Sequence, residues 1–180
     1  MRVLAAILIA ATLATPTLAA NWPARTPGPI AGAPGYVQIP NVAVPRDPAH
    51  DYKALFHGSK APADPGKPHG VLMAIGAQMN GLLLGNVPAS NLHFAAIFSG
   101  PGADTLLTDD AYRAKHGIAN PNLPLIAALV KAGLKLYVCG QFMAGADLPR
   151  SALIPEVEVA EGATLVKIRL ANEGYAILND

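Results

Sequence analysis

Cys139, the only cysteine of the chain, stands near the end of the stretch "LKLYVCGQ" (Leu134 to Gln141), where an apolar, β-branched run breaks at a glycine. A lone thiol cannot bridge within its own chain. It is therefore a buried small hydrophobe, an intermolecular link or a reactive group. If "QFMAGADL" opens as a helical turn, the thiol lies near unpaired backbone N–H groups, a setting that favours the thiolate. Gly140 would then leave room for a substrate to approach the sulfur. His57 and Ser99 end two other predicted strands on the same sheet edge and can approach the thiol. The segment "TDDAYRAKHG" carries Tyr112 among mixed charges and reads either as a solvated face or as a lid over Cys139. Cys139 is thus the candidate catalytic residue, and Gly140, Gln141, His57, Ser99 and Tyr112 are the candidates for substrate binding.

Other chemistries lack their residues. There is no CxxC pair for a dithiol mechanism, no GxSxG elbow and no GxxxxGK[ST] phosphate loop. The five histidines form no HxH or HxxxH pair, so no metal site is expected, and no cofactor either. A flavin or nucleotide would follow from fold analogy alone.

The elements that must position Cys139 alternate along the chain. "YKALFH" (Tyr52 to His57) reads as a first strand and "GVLMAIGAQMNGLLLG" (Gly70 to Gly85) as a mostly buried helix. In that helix, Gly76 and Gly81 either weaken it or allow close packing. "LHFAAIFSG" (Leu92 to Gly100) is a second strand, followed by a loop in which one helical turn is expected over Ala103 to Leu107 and another over Asp109 to Lys115. A helix runs from about Pro121 or Asn122 to Ala132, with Asn120 or Asn122 as its cap and Gly133 closing it. "KLYVCG" is the third strand, "VEVAEG" the fourth, "ATLVKIRLANEG" an amphipathic helix and "YAILN" the fifth strand. Strands separated by helices imply a mainly parallel five-stranded sheet with helices on both faces, a three-layer α/β sandwich. In such sheets functional groups gather past the carboxyl ends of the strands, where Cys139 falls.

The rest of the chain sets the context. "MRVLAAILIAATLATPTLAA" places Arg2 before an apolar run and ends in small residues, the form of a secretory signal peptide over residues 1–20. Its apolar core is shorter than the roughly 20 residues that span a bilayer. A periplasmic or secreted protein is therefore expected, with no stable membrane anchor after cleavage. Residues 21–50 hold prolines at 23, 27, 29, 34, 40, 45 and 48 and form an arm in which "YVQIP" and "VAVP" could add short edge pairing. Residues 51–180 are then the α/β domain. With a net charge of +1 and 14% charged residues, no basic stripe for nucleic acid is present.

The stretch "DDAYRAKHGIANPNLPLIAALVKAGLKLYVCGQ", together with "LIPEVEVAEGATLVKIRLANEGYAILND", resembles the DsrE/DsrF-like (DsrEFH-type) family, and more narrowly its secreted, stand-alone branch. The resemblance covers roughly Tyr52 to Asp180. It implies an α/β sandwich that assembles into homo-oligomers. It also implies a cysteine, matched here by Cys139, that accepts sulfane sulfur as a persulfide and passes it on. A sulfur donor or acceptor protein would then be a partner.

Two functions stand against each other at this point. One is a sulfurtransferase-like sulfur carrier working through Cys139. The other is a non-catalytic oligomeric binding or assembly module in which the cysteine is buried and structural.

Overall fold

The computed structural model describes residues 22–179; the expected signal peptide lies outside the described residues. Five parallel strands form the sheet in the order β6–β5–β4–β3–β7. These are β3 (Tyr52–Gly58), β4 (Leu92–Phe98), β5 (Lys135–Cys139), β6 (Val157–Ala160) and β7 (Ala176–Asn179). The helices are α1 (Gly70–Leu84), α2 (Asp109–His116), α3 (Leu123–Lys131), α4 (Gly140–Gly145) and α5 (Ala163–Asn172). The fold is a three-layer α/β sandwich.

Alternation along the strands sorts side chains to two faces. Ala54, Phe56, Phe94, Ala96, Phe98, Leu136 and Val138 join the large core with α1, α2, α3 and α4. Leu55, Ala95 and Ile97 form a smaller core on the other face with Tyr137, Ala160, Ile177 and residues of α5. The imbalance follows from handedness. From β3 to β6 the chain steps in one direction, so right-handed crossovers put their helices on one face. The return from β6 to β7 runs the other way, which sends α5 alone to the opposite face. Although α5 reads as amphipathic, none of its residues is fully buried, because it lies on a face with no further helix to pack against.

Local chemistry sets the boundaries. His69 caps α1: its Nδ1 accepts the N–H of Val71, which leaves Nε2 as the protonated nitrogen facing the Lys60 carbonyl at 3.0 Å. The segment expected as a single turn over Asp109 to Lys115 is a full helix, α2, because Thr108 accepts the Ala111 N–H and Gly117 closes the other end at φ 75°. Asn122 sits at the N-cap position of α3 without capping it. Its side-chain oxygen accepts the His69 N–H instead, and Asn120 Oδ1 accepts the Asn122 N–H.

The arm is fastened to the body. β1 (Arg25–Thr26) and β2 (Tyr36–Val37) pair antiparallel with each other rather than with the sheet edge, and "VAVP" forms no strand. Ile30 is buried in the main core. The fully buried Asn80 of α1 accepts the Ile30 N–H at 2.9 Å and donates to the Pro34 carbonyl at 3.0 Å. A Cβ at Gly76 would meet the Ala33 methyl at 2.5 Å, and one at Gly81 would meet the Tyr36 ring at 2.6 Å. Close packing, not helix weakening, is thus what these two glycines provide.

Candidate functional site

Cys139 ends β5 at the point where neighbouring strands send their chains to opposite faces. β5 exits into α4, whose Met143 and Phe142 pack in the main core, while β6 exits into α5 on the other face. In a parallel sheet such a divergence opens a crevice at the carboxyl edge, the usual place for a site. Alternation turns the Cys139 side chain toward the α5 face, since Val138 before it points into the main core.

There the sulfur meets the start of α5. The N–H of Ala163 donates to Cys139 Sγ at 3.3 Å. The N-cap of α5 is Gly162, which has no side chain to accept a first-turn N–H, and no acidic residue stands in that turn. The sulfur of a residue 24 positions away takes that role. An N–H at a helix N-terminus solvates an anionic sulfur better than a neutral one. The donor is therefore not the turn after Cys139, as its sequence neighbourhood suggests, but the helix after the next strand. The Cys139 residue is 7% exposed.

Two of the sequence-derived candidates lie together on the same sheet edge, Ser99 one strand from Cys139 and His57 two. His57 Nε2 and Ser99 Oγ share a hydrogen bond of 2.8 Å. Both face the α5 side: His57 follows Leu55 by two positions, and Ser99 follows Ile97 by two, in extended backbone. Phe98 pairs with Val138, so Ser99 and Cys139 are the next residues along adjacent strands, which run about 4.8 Å apart. Asn179 on β7 is in register with His57, and both stand level with Ile97 and Tyr137, two residues before the level of Ser99 and Cys139. The carboxyl edge of this face thus carries Cys139, Ser99, His57 and Asn179.

Gly140 and Gln141 have different surroundings from those expected. A Cβ at Gly140 would lie 2.7 Å from the Ala160 carbonyl oxygen, so this glycine lets β5 and β6 approach closely rather than opening a path to the sulfur. Gln141 is exposed, with its Cγ 3.6 Å from where a Gly162 Cβ would stand. Tyr112 is not brought to the site. It is fully buried in the main core, on the other face of the sheet, and its hydroxyl donates to the Pro65 carbonyl at 2.8 Å. Burial, with the Asp104 carboxylate second, pushes its pKa up from 10.0. Its helix is held down from the same side: Asp104, nearly buried, receives Lys115 Nζ at 2.7 Å and His116 Nε2 at 3.0 Å. That packing makes α2 part of the body, not a lid on the sulfur.

Below the Cys139 edge, the α5 face carries a cavity of about 670 Å³ between α5 and strands β5 and β6. Its lining includes Tyr137, Ala160, Gly162, Leu165 and Arg169. Burial, and then the Glu158 carboxylate, raise the Tyr137 pKa above 10.0, so this phenol stays neutral at physiological pH. Among the described residues no three His, Cys, Asp or Glu side chains come close enough to hold a metal ion. No helix among them is long and apolar enough to cross a membrane.

A family model described as "DsrE/DsrF-like family" matches residues 53–179. The chain belongs to that family. The matched span begins at the second residue of β3 and ends with β7, so it takes in all five strands of the main sheet of this DsrE/DsrF-like protein but for Tyr52, and leaves out the arm. Among solved structures it is similar to a protein of unknown function from Methanobacterium thermoautotrophicum. That likeness has a TM-score of 0.52 and 18% identity, and covers 72% of this chain and 100% of the other. It shows a shared fold. No curated protein matches the DsrE/DsrF-like chain significantly.

Proposed function

We propose that this protein is a sulfur carrier of the sulfur-relay type, holding sulfane sulfur as a persulfide on Cys139, and that it works in the periplasm or outside the cell. Membership of the DsrE/DsrF-like family points to relay chemistry. The observation that carries the reading is the 3.3 Å contact from the Ala163 N–H to Cys139 Sγ at the head of α5. With thiosulfate as donor, the thiolate attacks the outer sulfur, the S–S bond of the donor breaks, and sulfite leaves with the electron pair. The cysteine then carries the persulfide anion, and the N–H donor suits either anion. In this reading Ser99 on the adjacent strand, His57 hydrogen-bonded to it, and the exposed Gln141 are the polar groups of this edge that would orient an anionic donor, or the donor or acceptor protein that presents it. The export step rests on the form of residues 1–20.

The 7% exposure of Cys139 favours a second reading, in which the thiol is the structural cap of α5 and the protein is a binding or assembly module. Mass spectrometry separates the two. After exposure to thiosulfate or polysulfide, the carrier gains about 32 Da, one sulfur atom, on Cys139, and the Cys139→Ser protein does not. An unmodified thiol that also resists alkylation under native conditions leaves the structural reading standing.

A further inference from the structure

We infer that the groove between α5 and strands β5 and β6 binds a thiol whose ammonium lies beside its sulfur and whose carboxylate lies farther off. That is the arrangement of a short peptide beginning with cysteine. The inference rests on the carrier reading and names the class of molecule whose sulfur Cys139 takes up.

α5 packs on β4 and β7 and leaves a cavity of about 670 Å³ over β5 and β6, a volume in the range of small-molecule sites. Ala95, Tyr137 and Ala160 lie on its floor, and Val166 and Leu170 of α5 form a wall. The groove has two distinct ends. At the upper one, Ala160 stands opposite Cys139 in the ladder, and Gly162 directly precedes the Ala163 N–H that donates to Sγ. At the lower one, Glu173 follows the end of α5, and its carbonyl accepts Lys53 Nζ from the start of β3. Lys135 stands at this lower end too, four residues before Cys139 on β5 and so roughly 13 Å from it.

The charges are sorted along this axis. Glu161 stands at the upper end and Glu158 beside Tyr137 in the middle, while Lys135 and Arg169 stand at the lower end. Lys135, Glu158 and Glu161 are exposed, and none of them forms an ion pair among the described residues. Glu173 accepts only the Arg169 Nε, at 3.1 Å, which leaves the other guanidinium donors for a ligand. Carboxylates near the sulfur and cations at the far end match a ligand with its ammonium next to its own sulfur and its carboxylate remote. In this groove an inorganic dianion would face Glu158 and Glu161 with its own sign, and a simple amine would face Lys135. Between the ends the neutral Tyr137 phenol offers its O–H to the peptide carbonyl of such a ligand. In the transfer, the Cys139 thiolate attacks the outer sulfur of the donor persulfide, R–S–SH. The S–S bond breaks, R–S⁻ leaves with the electron pair, and the proton stays on the sulfur now bonded to Cys139.

The test is calorimetric titration of the unaltered, reduced protein with two dipeptides, S-methylcysteinylglycine and glycyl-S-methylcysteine. They share composition and net charge and differ in which charged group lies next to the sulfur. The first is expected to bind more tightly by roughly tenfold. Lys135→Glu and Glu161→Lys are each expected to weaken its binding by roughly tenfold. Both positions are exposed, so the fold should hold, and unchanged thermal midpoints confirm it. The dipeptide comparison needs no variant and decides the matter alone if one fails to fold. Equal or reversed preference, no saturable binding, or binding that either folded variant leaves unchanged overturns the inference. The methyl cap prevents sulfur transfer, so the titration succeeds or fails separately from the persulfide mass gain on Cys139.

Discussion

Ala163 and Cys139 join two elements that are not consecutive: the first N–H of α5 ends on the sulfur that terminates β5, with the whole of α4 and β6 between them in sequence. The contact fixes the thiol and the helix end at once, so the same atom has a structural and a chemical role.

Substitutions at Cys139 should separate those roles. Serine keeps an acceptor for the Ala163 N–H and should change stability little. Alanine removes the acceptor and leaves a small void, with an expected cost of about 1–2 kcal/mol. Urea midpoints for the two variants give the comparison; equal stability would mean that the sulfur does not cap α5.

Gly140→Ala tests the close approach of β5 to β6. The added methyl would sit 2.7 Å from the Ala160 carbonyl oxygen, which is backbone and cannot swing away. A loss of about 1–3 kcal/mol is expected. The displaced strand end should also draw Sγ away from Ala163, which would appear as a change in the alkylation rate of the thiol.

Asn80→Ala should free the arm. It removes the acceptor of the buried Ile30 N–H and the donor to the Pro34 carbonyl, at an expected cost of about 2–3 kcal/mol. Limited proteolysis is the direct readout: cleavage between residues 22 and 50 should accelerate while the sheet domain stays resistant. Slow cleavage in the variant would show that Ile30 and the glycine contacts suffice.

Acid dependence should appear at Asp109. The Asn120 N–H, and then the Arg113 guanidinium, hold its carboxyl below the usual 3.8. With a folded-state pKa below the unfolded one, the carboxylate stabilises the fold above about pH 4, and that contribution disappears as pH falls through the folded-state value. Asp109→Asn should therefore be less stable than the unaltered protein at pH 7, with the gap closing under strong acid. A gap that persists there would assign the effect to shape and not to charge.

Much of the frame is legible in the residues. Four strands of the main sheet announce themselves by apolar runs between turn residues and β6 by the alternation of "VEVA", and the succession of strands and helices gives the parallel sheet. The placement of Cys139 at a strand end follows from the glycine after it. What the chain does not declare locally is who touches whom across long separations. Tyr112 sits among charges and reads as exposed, yet α2 turns it into the core. Ala163 contributes only its backbone, so no side chain marks it; the one signal was a helix beginning at "EGAT" with no side chain at the cap position able to accept a hydrogen bond. Asn80 within an otherwise apolar helix, between Gly76 and Gly81, was the signal that something packs there, but nothing in its neighbourhood names the arm.

The β7 edge of the sheet has a consequence for folding. β7, built from the final residues Ala176–Asn179, lies against β3, the first strand of the domain, with Leu55 beside Ile177. Pairing the beginning with the end gives the domain a long loop to close, which slows its completion. Until β7 pairs, β3 presents an open strand edge, so the sheet is completed only when this longest-range contact forms.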